Sequence, residues 1–290
     1  GPRDDRVLVY EHSGRVYISC LDHALENSGF LARLAAWDVA FAPTQQEEVF
    51  VLESEFDFFT SPRVLAIGLY HPEHFPLPRF HLGLSDLANA FRTSYKGSIE
   101  LLDMQLGTSR ESIVGQARAG GYASIGISAT FGQQDLLEYF LDQFLGLGLG
   151  HLFVGGSLPA RNYRQLLERY PGIVVARGPG EPLFRQLTDY LEGRIAKHAL
   201  ENVSYAEEGE VITRRGNSEA GEVICPELDL LTETLQAGGV LQFETSRGCS
   251  NACSFCPREH KGRWVGFWPK SFEGLMADID QIYTLFPGVP

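Results

Sequence analysis

The sequence predicts an α/β protein built on a Rossmann-like, doubly wound parallel sheet, and three observations support this class. Five short runs of almost entirely apolar residues recur between positions 63 and 177. A stretch with helical spacing follows each of these runs. The runs are apolar on both alternating faces, which is typical of parallel strands buried beneath helices on both sides. Right-handed crossovers between such strands give a doubly wound domain.

The predicted strands are Val64–Tyr70, Ile99–Gln105, Ala123–Thr130, His151–Ser157 and Ile173–Arg177. The predicted helices are Ser85–Tyr95, Arg110–Ala119, Gln134–Leu147, Asn162–Tyr170 and Pro182–Arg194. Together these elements place the sheet domain within residues 61–195.

The segments before and after this domain are less regular. Residues 3–60 are predicted to form an N-terminal extension of unclear role, with strands at Val7–Tyr10 and Val16–Cys20 and a helix over Leu21–Trp37. Residues 196–239 are interrupted by glycines and are predicted to be a linker.

Residues 240–290 are predicted to be one strand–loop–helix unit. The strand is Val240–Thr245, the helix is Ser271–Phe286, and the loop between them carries three cysteines. Apolar residues fall on one face of the helix, as expected for a helix that packs on a neighbouring layer.

Composition excludes several classes of protein. There are 24 basic and 37 acidic residues, a net charge of −13, so general binding of a nucleic-acid backbone is not expected. No apolar run reaches the roughly 18 residues of a membrane span, and no secretory leader is visible, which favours a cytoplasmic protein. Three of the five cysteines lie within eight residues, a pattern of metal chemistry rather than of a disulfide scaffold.

The three cysteines Cys249, Cys253 and Cys256 have the spacing C-x3-C-x2-C. Thiolates are soft ligands that suit an iron–sulfur cluster or zinc. Three thiolates would leave one iron of a cubane cluster without a protein ligand and open to a reacting molecule. Zinc with His260 as a fourth ligand is the main alternative, and three unliganded thiols are the other.

The segment Glu244-Thr-Ser-Arg-Gly-Cys-Ser-Asn-Ala-Cys-Ser-Phe-Cys256 resembles the signature of radical S-adenosylmethionine enzymes, with Phe255 as its aromatic residue. The resemblance implies a 4Fe–4S cluster held by Cys249, Cys253 and Cys256. It also implies that S-adenosylmethionine chelates the open iron, that its adenine lies near Phe255, and that an external donor reduces the cluster.

Glycine-rich loops follow the fourth and fifth predicted strands. Ligands of doubly wound sheets lie at the carboxyl ends of strands, and glycines let a backbone approach a bulky ligand closely. The alternative is that the glycines of these loops serve only to form turns. No G-x-G-x-x-G follows the first strand, which disfavours a nicotinamide cofactor. The residues of these loops are Gly155, Gly156, Ser157, Arg177, Gly178, Pro179, Gly180 and Glu181.

The order of the two domains and these loops resemble the cobalamin-dependent branch of the radical family, and so imply a cobalamin-binding sheet. Classical cobalamin domains place a cobalt-ligating histidine in Asp-x-His-x-x-Gly after the second strand. This chain has Asp103-Met-Gln105-Leu-Gly107 instead, so the predicted site has no histidine ligand. The further residues expected to contact the corrinoid are Tyr70, Gln105, Leu106, Ser128 and Thr130.

Three histidines follow the first strand among prolines, at positions 71, 74 and 81. A solvated loop, or a loop that reaches over the corrin, is the favoured interpretation, and a metal site is the alternative.

The two resemblances imply a cobalamin-dependent radical S-adenosylmethionine enzyme that acts on a small-molecule or peptide substrate. The expected reaction is methylation of an unactivated carbon through a 5′-deoxyadenosyl radical and methylcobalamin, although ring contraction and cyclisation also occur in this branch. A barrel needs several strand–helix units and only one is present, so the chain is expected to be the front of a longer enzyme and inactive alone. The rival hypotheses are a radical enzyme whose sheet domain binds no cobalamin and a zinc-stabilised binding module.

Overall fold

The computed structural model describes three strands within residues 7–52, and then residues 62–92 apart from 72 and 76, 98–216, 230–242, 251, 253–254 and 272–285. The chain divides into two compact units, Gly1–Ser61 and Pro62–Pro290.

The first unit contains a three-stranded antiparallel sheet in the order β1-β2-β3. Its strands are β1 (Val7–His12), β2 (Arg15–Cys20) and β3 (Val49–Leu52). The first two correspond to the two strands predicted from alternation, and the third was not predicted. The predicted helix over Leu21–Trp37 lies outside the described residues.

The second unit contains a seven-stranded sheet with helices on both faces. Its strands are β4 (Arg63–Gly68), β5 (Ser98–Asp103), β6 (Ser124–Ser128), β7 (His151–Gly155), β8 (Ile173–Ala176), β9 (Val203–Glu207) and β10 (Glu210–Arg214). Its helices are α1 (Leu82–Arg92), α2 (Arg110–Ala119), α3 (Gln134–Gly146), α4 (Ser157–Arg169), α5 (Glu181–Leu191), α6 (Leu231–Gln236) and α7 (Phe272–Leu285).

The strand order β10-β9-β8-β7-β6-β4-β5 confirms the predicted fold class. The five strands β4 to β8 are parallel to one another, as predicted. Strand β4 pairs on one side with β5 and on the other with β6, so the direction of winding reverses at β4. A doubly wound sheet has its ligand crevice at such a switch point.

Alternation along the strands divides the core into two layers. Leu65 and Ile67 of β4 face one layer, which also contains the buried residues of α2, α3 and α4. Val64 faces the opposite layer with buried residues of α1 and α5, and Phe153 and Val174 face the same way. Each central strand is therefore buried on both sides, which is why it is apolar throughout.

The sheet continues into the segment that the sequence predicts as a linker, residues 196–239. Strand β9 runs antiparallel to β8, and β10 returns along β9 through a tight turn at Glu208 and Gly209. Both turn residues have positive φ, at 49° and 81°, as a two-residue hairpin turn requires. Val203 and Tyr205 of β9 are buried in the second core layer, so this part of the segment is sheet and not linker.

The predicted strand Val240–Thr245 is described only at its beginning. Val240 forms one parallel bridge with Arg79, in the loop that follows β4. Its carbonyl accepts from Phe80 N at 2.9 Å, and its own N–H donates to the carbonyl of Pro78 at 3.0 Å. The helix predicted after the cysteines, Ser271–Phe286, is confirmed as α7.

A small apolar cluster joins this last part of the chain to the sheet. Phe80 is buried and packs with Leu231 of α6 and Ile282 of α7. In the described part of the chain, no helix combines the length and the apolar character needed to cross a membrane.

The predicted strands extend beyond the observed strands at their carboxyl ends, where the chain leaves the sheet to form loops. Strand β5 stops at Asp103, because the Asp103 carboxylate accepts from Gln105 N at 3.0 Å and caps a 3₁₀ turn over Met104–Leu106. Strand β4 stops at Gly68, two residues before the predicted end at Tyr70.

Candidate cofactor site at the carboxyl edge of the sheet

The residues predicted from the strand-end loops all lie at one edge of the sheet, since parallel strands present their carboxyl ends on the same side. They end or follow β4, β5, β6, β7 and β8 in turn. In that order they are Tyr70; Gln105 and Leu106; Ser128 and Thr130; Gly155, Gly156 and Ser157; and Arg177, Gly178, Pro179, Gly180 and Glu181.

Hydrogen bonds join the strand ends on either side of the switch point. Leu69 N donates to the carbonyl of Ser128 at 3.1 Å, which links the ends of β4 and β6. Ala129 N donates to the carbonyl of Gly155 at 2.9 Å, which links β6 to β7. The edge is therefore a continuous backbone surface at the position where doubly wound sheets bind ligands.

Gln133, which the sequence did not single out, braces this surface. Its buried side chain donates from Nε2 to the carbonyl of Leu69 at 2.8 Å and accepts at Oε1 from Thr130 N at 2.7 Å. One amide thus satisfies a backbone acceptor after β4 and a backbone donor after β6. The available signal was a glutamine directly between Gly132 and the start of α3.

Gly156 occupies a backbone conformation that essentially only glycine adopts, with φ 96° and ψ 178°. A Cβ at this position would lie 2.3 Å from the carbonyl oxygen of Ala129. The turn from β7 into α4 is therefore pressed directly against the end of β6, and any side chain at Gly156 would force the two apart.

Replacing Gly156 with alanine is expected to lower the free energy of unfolding by about 2–3 kcal/mol, measured by urea denaturation. The matched control is Gly193→Ala, because Gly193 also has positive φ (74°) but no atom lies within 4 Å of a Cβ built there. The control should cost about 1 kcal/mol, the ordinary penalty of a left-handed residue. Equal losses for the two variants would show that the contact with Ala129 is unimportant.

Gln105, which stands where classical cobalamin domains place histidine, has both ends of its amide engaged. Its Nε2 donates to the Asp103 carboxylate at 2.9 Å, and its Oε1 accepts from Arg79 N at 2.8 Å. The carboxylate of Asp103 therefore holds the amide, and the amide in turn holds the loop after β4. This loop is the one that pairs with Val240, so one chain of hydrogen bonds connects β5 to the segment before the cysteines.

Two titratable groups lie close together under this loop. Burial raises the pKa of Asp103, while the hydrogen bonds from Gln105 and the charge of His81 oppose that rise. Burial lowers the pKa of His81, and the nearby Asp103 carboxylate partly opposes it. His81 Nδ1 accepts from Leu84 N at 3.2 Å, so the proton of the neutral ring is on Nε2.

The loop after β8 is held by the protein itself. Arg177 N donates to the carbonyl of Asn202 at 2.7 Å, and its guanidinium stacks 3.9 Å from the ring centroid of Tyr163. A Cβ on Gly178 would come within 3.2 Å of Asn202, and one on Gly180 within 2.6 Å of Leu87. Close packing against the side chains of Asn202 and Leu87 therefore favours glycine at these two positions, whether or not the loop also contacts a ligand.

Three large apolar side chains are exposed on the loops at this edge. Phe75 (57% exposed) and Leu77 (48%) follow β4, and Phe131 (46%) follows β6. The ring of Tyr70 lies 6.0 Å from that of Phe75, and its hydroxyl donates to the carbonyl of Leu77 at 3.3 Å. Exposed apolar groups beside convergent backbone polar groups are typical of a site for a large, partly apolar ligand.

Of the predicted cluster ligands, the structure describes Cys253, which is an exposed free thiol. Cys249, Cys256 and Phe255 lie outside the described residues. The cluster geometry therefore stays a prediction from the motif.

The chain is similar to known enzymes in both sequence and fold, although no protein-family model matches it. It is 30% identical to 4′-phospho-dehydrooxetanocin synthase of Priestia megaterium over 97% of its own length and 39% of that protein. The structure of the cobalamin-dependent S-adenosylmethionine radical enzyme OxsB with aqua-cobalamin bound matches with a TM-score of 0.77 and 28% identity. That match covers 96% of this chain and 41% of OxsB.

A more distant likeness concerns the fold alone. The radical S-adenosylmethionine methyltransferase TsrM from Kitasatospora setae, with its substrate tryptophan and an analogue of S-adenosylmethionine bound, matches with a TM-score of 0.62. It is 16% identical over 79% of this chain and 46% of TsrM.

The chain thus spans about two fifths of the length of the relatives that match it at 28–30% identity. These likenesses confirm the family predicted from the cysteine motif and the domain order. In sequence and fold, the chain resembles the cobalamin-dependent radical S-adenosylmethionine enzymes over this part of their length.

Proposed function

We propose that the carboxyl edge of the sheet binds cobalamin without a cobalt ligand from the protein, as part of a radical S-adenosylmethionine enzyme. The observation that carries this proposal is the side chain of Gln105, which Asp103 and Arg79 N hold by its two polar ends. An amide is a poor cobalt ligand compared with imidazole, and this one is already occupied. OxsB, at 28% identity, has been observed with aqua-cobalamin bound.

The described residues fit a large corrinoid at this edge. Gly156 and Thr130 are exposed beside the switch point, and Ser128 and Ser157 are partly exposed there. Phe75, Leu77 and Phe131 supply apolar surface around these polar groups. In this arrangement the hydroxyls and backbone groups would orient the corrin and its amides, while the apolar loops would exclude water from its faces. The bound cobalt would supply reversible transfer of a carbon group or of electrons.

Replacing Gln105 with histidine tests the missing ligand. Asp103 is already positioned to accept from an imidazole at residue 105, as a carboxylate orients a metal-ligating histidine. Hydroxocobalamin bound to the wild type is expected to show a visible spectrum without a nitrogen ligand from the protein, and Gln105→His should shift it towards that of an imidazole adduct. Gln116→His, on α2, is the control and should leave the spectrum unchanged. An imidazole-type spectrum in the wild type would contradict the proposal.

We propose that Cys249, Cys253 and Cys256 hold a 4Fe–4S cluster that binds S-adenosylmethionine, with Phe255 against the adenine. OxsB has been observed with S-adenosylmethionine and aqua-cobalamin together, over a match that covers 96% of this chain. Reduction of the cluster needs an external electron donor, and the substrate is a small molecule or a peptide. A cytoplasmic location is part of the same proposal.

Two reactions are proposed for the enzyme to which this chain contributes. Methylation of an unactivated carbon is the reaction that the sequence predicts. The second candidate is synthase chemistry of the kind named for the relative at 30% identity, 4′-phospho-dehydrooxetanocin synthase. S-adenosylmethionine with a deuterated methyl group separates them. Deuterium in the product supports methyl transfer, whereas 5′-deoxyadenosine formed with an unlabelled product supports the synthase reaction.

A further inference from the structure

The loop that follows β4 contains an imidazole with a carboxylate at each ring nitrogen. His71 Nδ1 lies 2.8 Å from Glu73 Oε1, and His71 Nε2 lies 3.0 Å from Asp135 Oδ1 at the start of α3. The His71 side chain is only 12% exposed, whereas Glu73 and Asp135 are largely exposed. The ring is thus fixed between two elements that are 64 residues apart in the chain.

A second histidine completes this corner of the loop. Three potential ligand atoms, one each from His71, Glu73 and His74, lie within 4.8 Å of one another. The centroids of the two imidazole rings are 5.4 Å apart. Two imidazoles and a carboxylate are the donor set of many zinc sites, which keep a fourth position open for water or another ligand.

The charges at His71 call for a cation. A protonated imidazole donates from both ring nitrogens and so satisfies both carboxylates, whereas a neutral ring can donate to only one of them. A metal ion bound to Nδ1 would take the place of the Nδ1 proton as the positive charge beside Glu73, while Nε2–H still donates to Asp135. The Asp135 carboxylate would then orient the ligating imidazole in the way that carboxylates support histidine ligands in metal sites.

We propose that His71 Nδ1, the Glu73 carboxylate and an imidazole nitrogen of His74 bind a divalent transition-metal ion, with Asp135 as a positioning residue. Imidazole donors favour zinc and its neighbours in the first transition row over magnesium or calcium. The ion would tie the loop after β4 to the start of α3. The same loop carries Phe75 and Leu77, so the metal would order apolar surface beside the candidate cofactor site. This site is separate from the cluster cysteines and does not depend on the proposed function.

The experiment measures Zn²⁺ binding by the full chain in competition with a chromophoric chelator. The three cluster cysteines are changed to alanine, so that their thiolates do not take the metal. One equivalent of Zn²⁺ is expected to bind. Co²⁺ bound at this site should give visible absorption without thiolate charge-transfer bands. Such bands would appear if the remaining cysteines bound the metal instead.

Glu73→Gln and His74→Gln remove exposed side chains, so they should leave the fold intact, which far-ultraviolet circular dichroism checks. Each is expected to abolish the stoichiometric binding. Asp135→Asn should weaken it by about 10–100-fold, the usual effect of losing a carboxylate that supports a histidine ligand. His198→Gln, an exposed histidine elsewhere, is the control and should change nothing. The absence of stoichiometric Zn²⁺ binding, or binding that survives both Glu73→Gln and His74→Gln, would overturn the proposal.

Discussion

Replacing Cys253 with alanine is expected to abolish the broad iron–sulfur absorbance of the anaerobically reconstituted chain and to leave cobalamin binding intact. The physical reason is that a cubane cluster with three protein ligands does not survive the loss of one thiolate. The candidate cobalamin site is built from the carboxyl ends of β4 to β8, and Cys253 lies on a different segment, after Val240. Iron, sulfide and cobalt analyses together with the visible spectrum measure both effects on one sample.

Cys225→Ala is the matched control, because Cys225 lies outside the C-x3-C-x2-C motif, and it should retain the full iron content. The same analysis decides between a cluster and zinc. One zinc per chain without iron or sulfide in the anaerobically purified wild type would remove the radical mechanism and favour a zinc-stabilised module.

Replacing Phe80 with alanine is expected to lower the free energy of unfolding of the second unit by about 3–5 kcal/mol, the usual cost of truncating a buried phenylalanine. Phe80 is 1% exposed and packs with Leu231 and Ile282, so the truncation opens a cavity in the small cluster that joins α6 and α7 to the sheet. Urea denaturation measures the loss.

Amide hydrogen exchange adds a local measurement for this variant. Exchange at Val240, whose N–H donates to the carbonyl of Pro78, should become faster because the loop loses its apolar anchor. Phe272→Ala is the control, since Phe272 of α7 is 73% exposed and its truncation should cost less than about 0.5 kcal/mol. Similar losses for the two variants would mean that the cluster around Phe80 does not hold these segments together.

The central sheet was predictable because burial on both faces makes each strand a continuous apolar run. Val64, Leu65 and Ile67 of β4 show this, since adjacent side chains enter opposite core layers and both layers consist of buried apolar residues. The parallel direction of the strands and the edge that carries the candidate site then follow from the right-handed crossovers between strands and from where doubly wound sheets bind ligands.

Strands β9 and β10 were not predictable in the same way. Strand β9 alternates the buried apolar residues Val203 and Tyr205 with the buried polar residue Ser204, and β10 pairs with β9 alone at the edge of the sheet. An edge hairpin with polar residues therefore resembles a linker in sequence, and its pairing depends on contacts with β8 that no local pattern encodes.

The candidate site was predictable in position but not in its internal bonding. The departure at Gln105 was visible in the sequence, yet its bond to Arg79 N joins residues 26 positions apart. Gln133 was missed for the same reason, because it bridges Leu69 and Thr130 only after two strands have paired. Contacts of this kind are set by the fold and leave no periodic signal.

The most direct test of the central claim is retention of cobalamin by the wild-type chain. After anaerobic incubation with hydroxocobalamin and desalting, we expect about one cobalt per chain and a corrin spectrum without a nitrogen ligand from the protein. Loss of all corrin absorbance on desalting would contradict the assignment of the sheet edge as a cobalamin site.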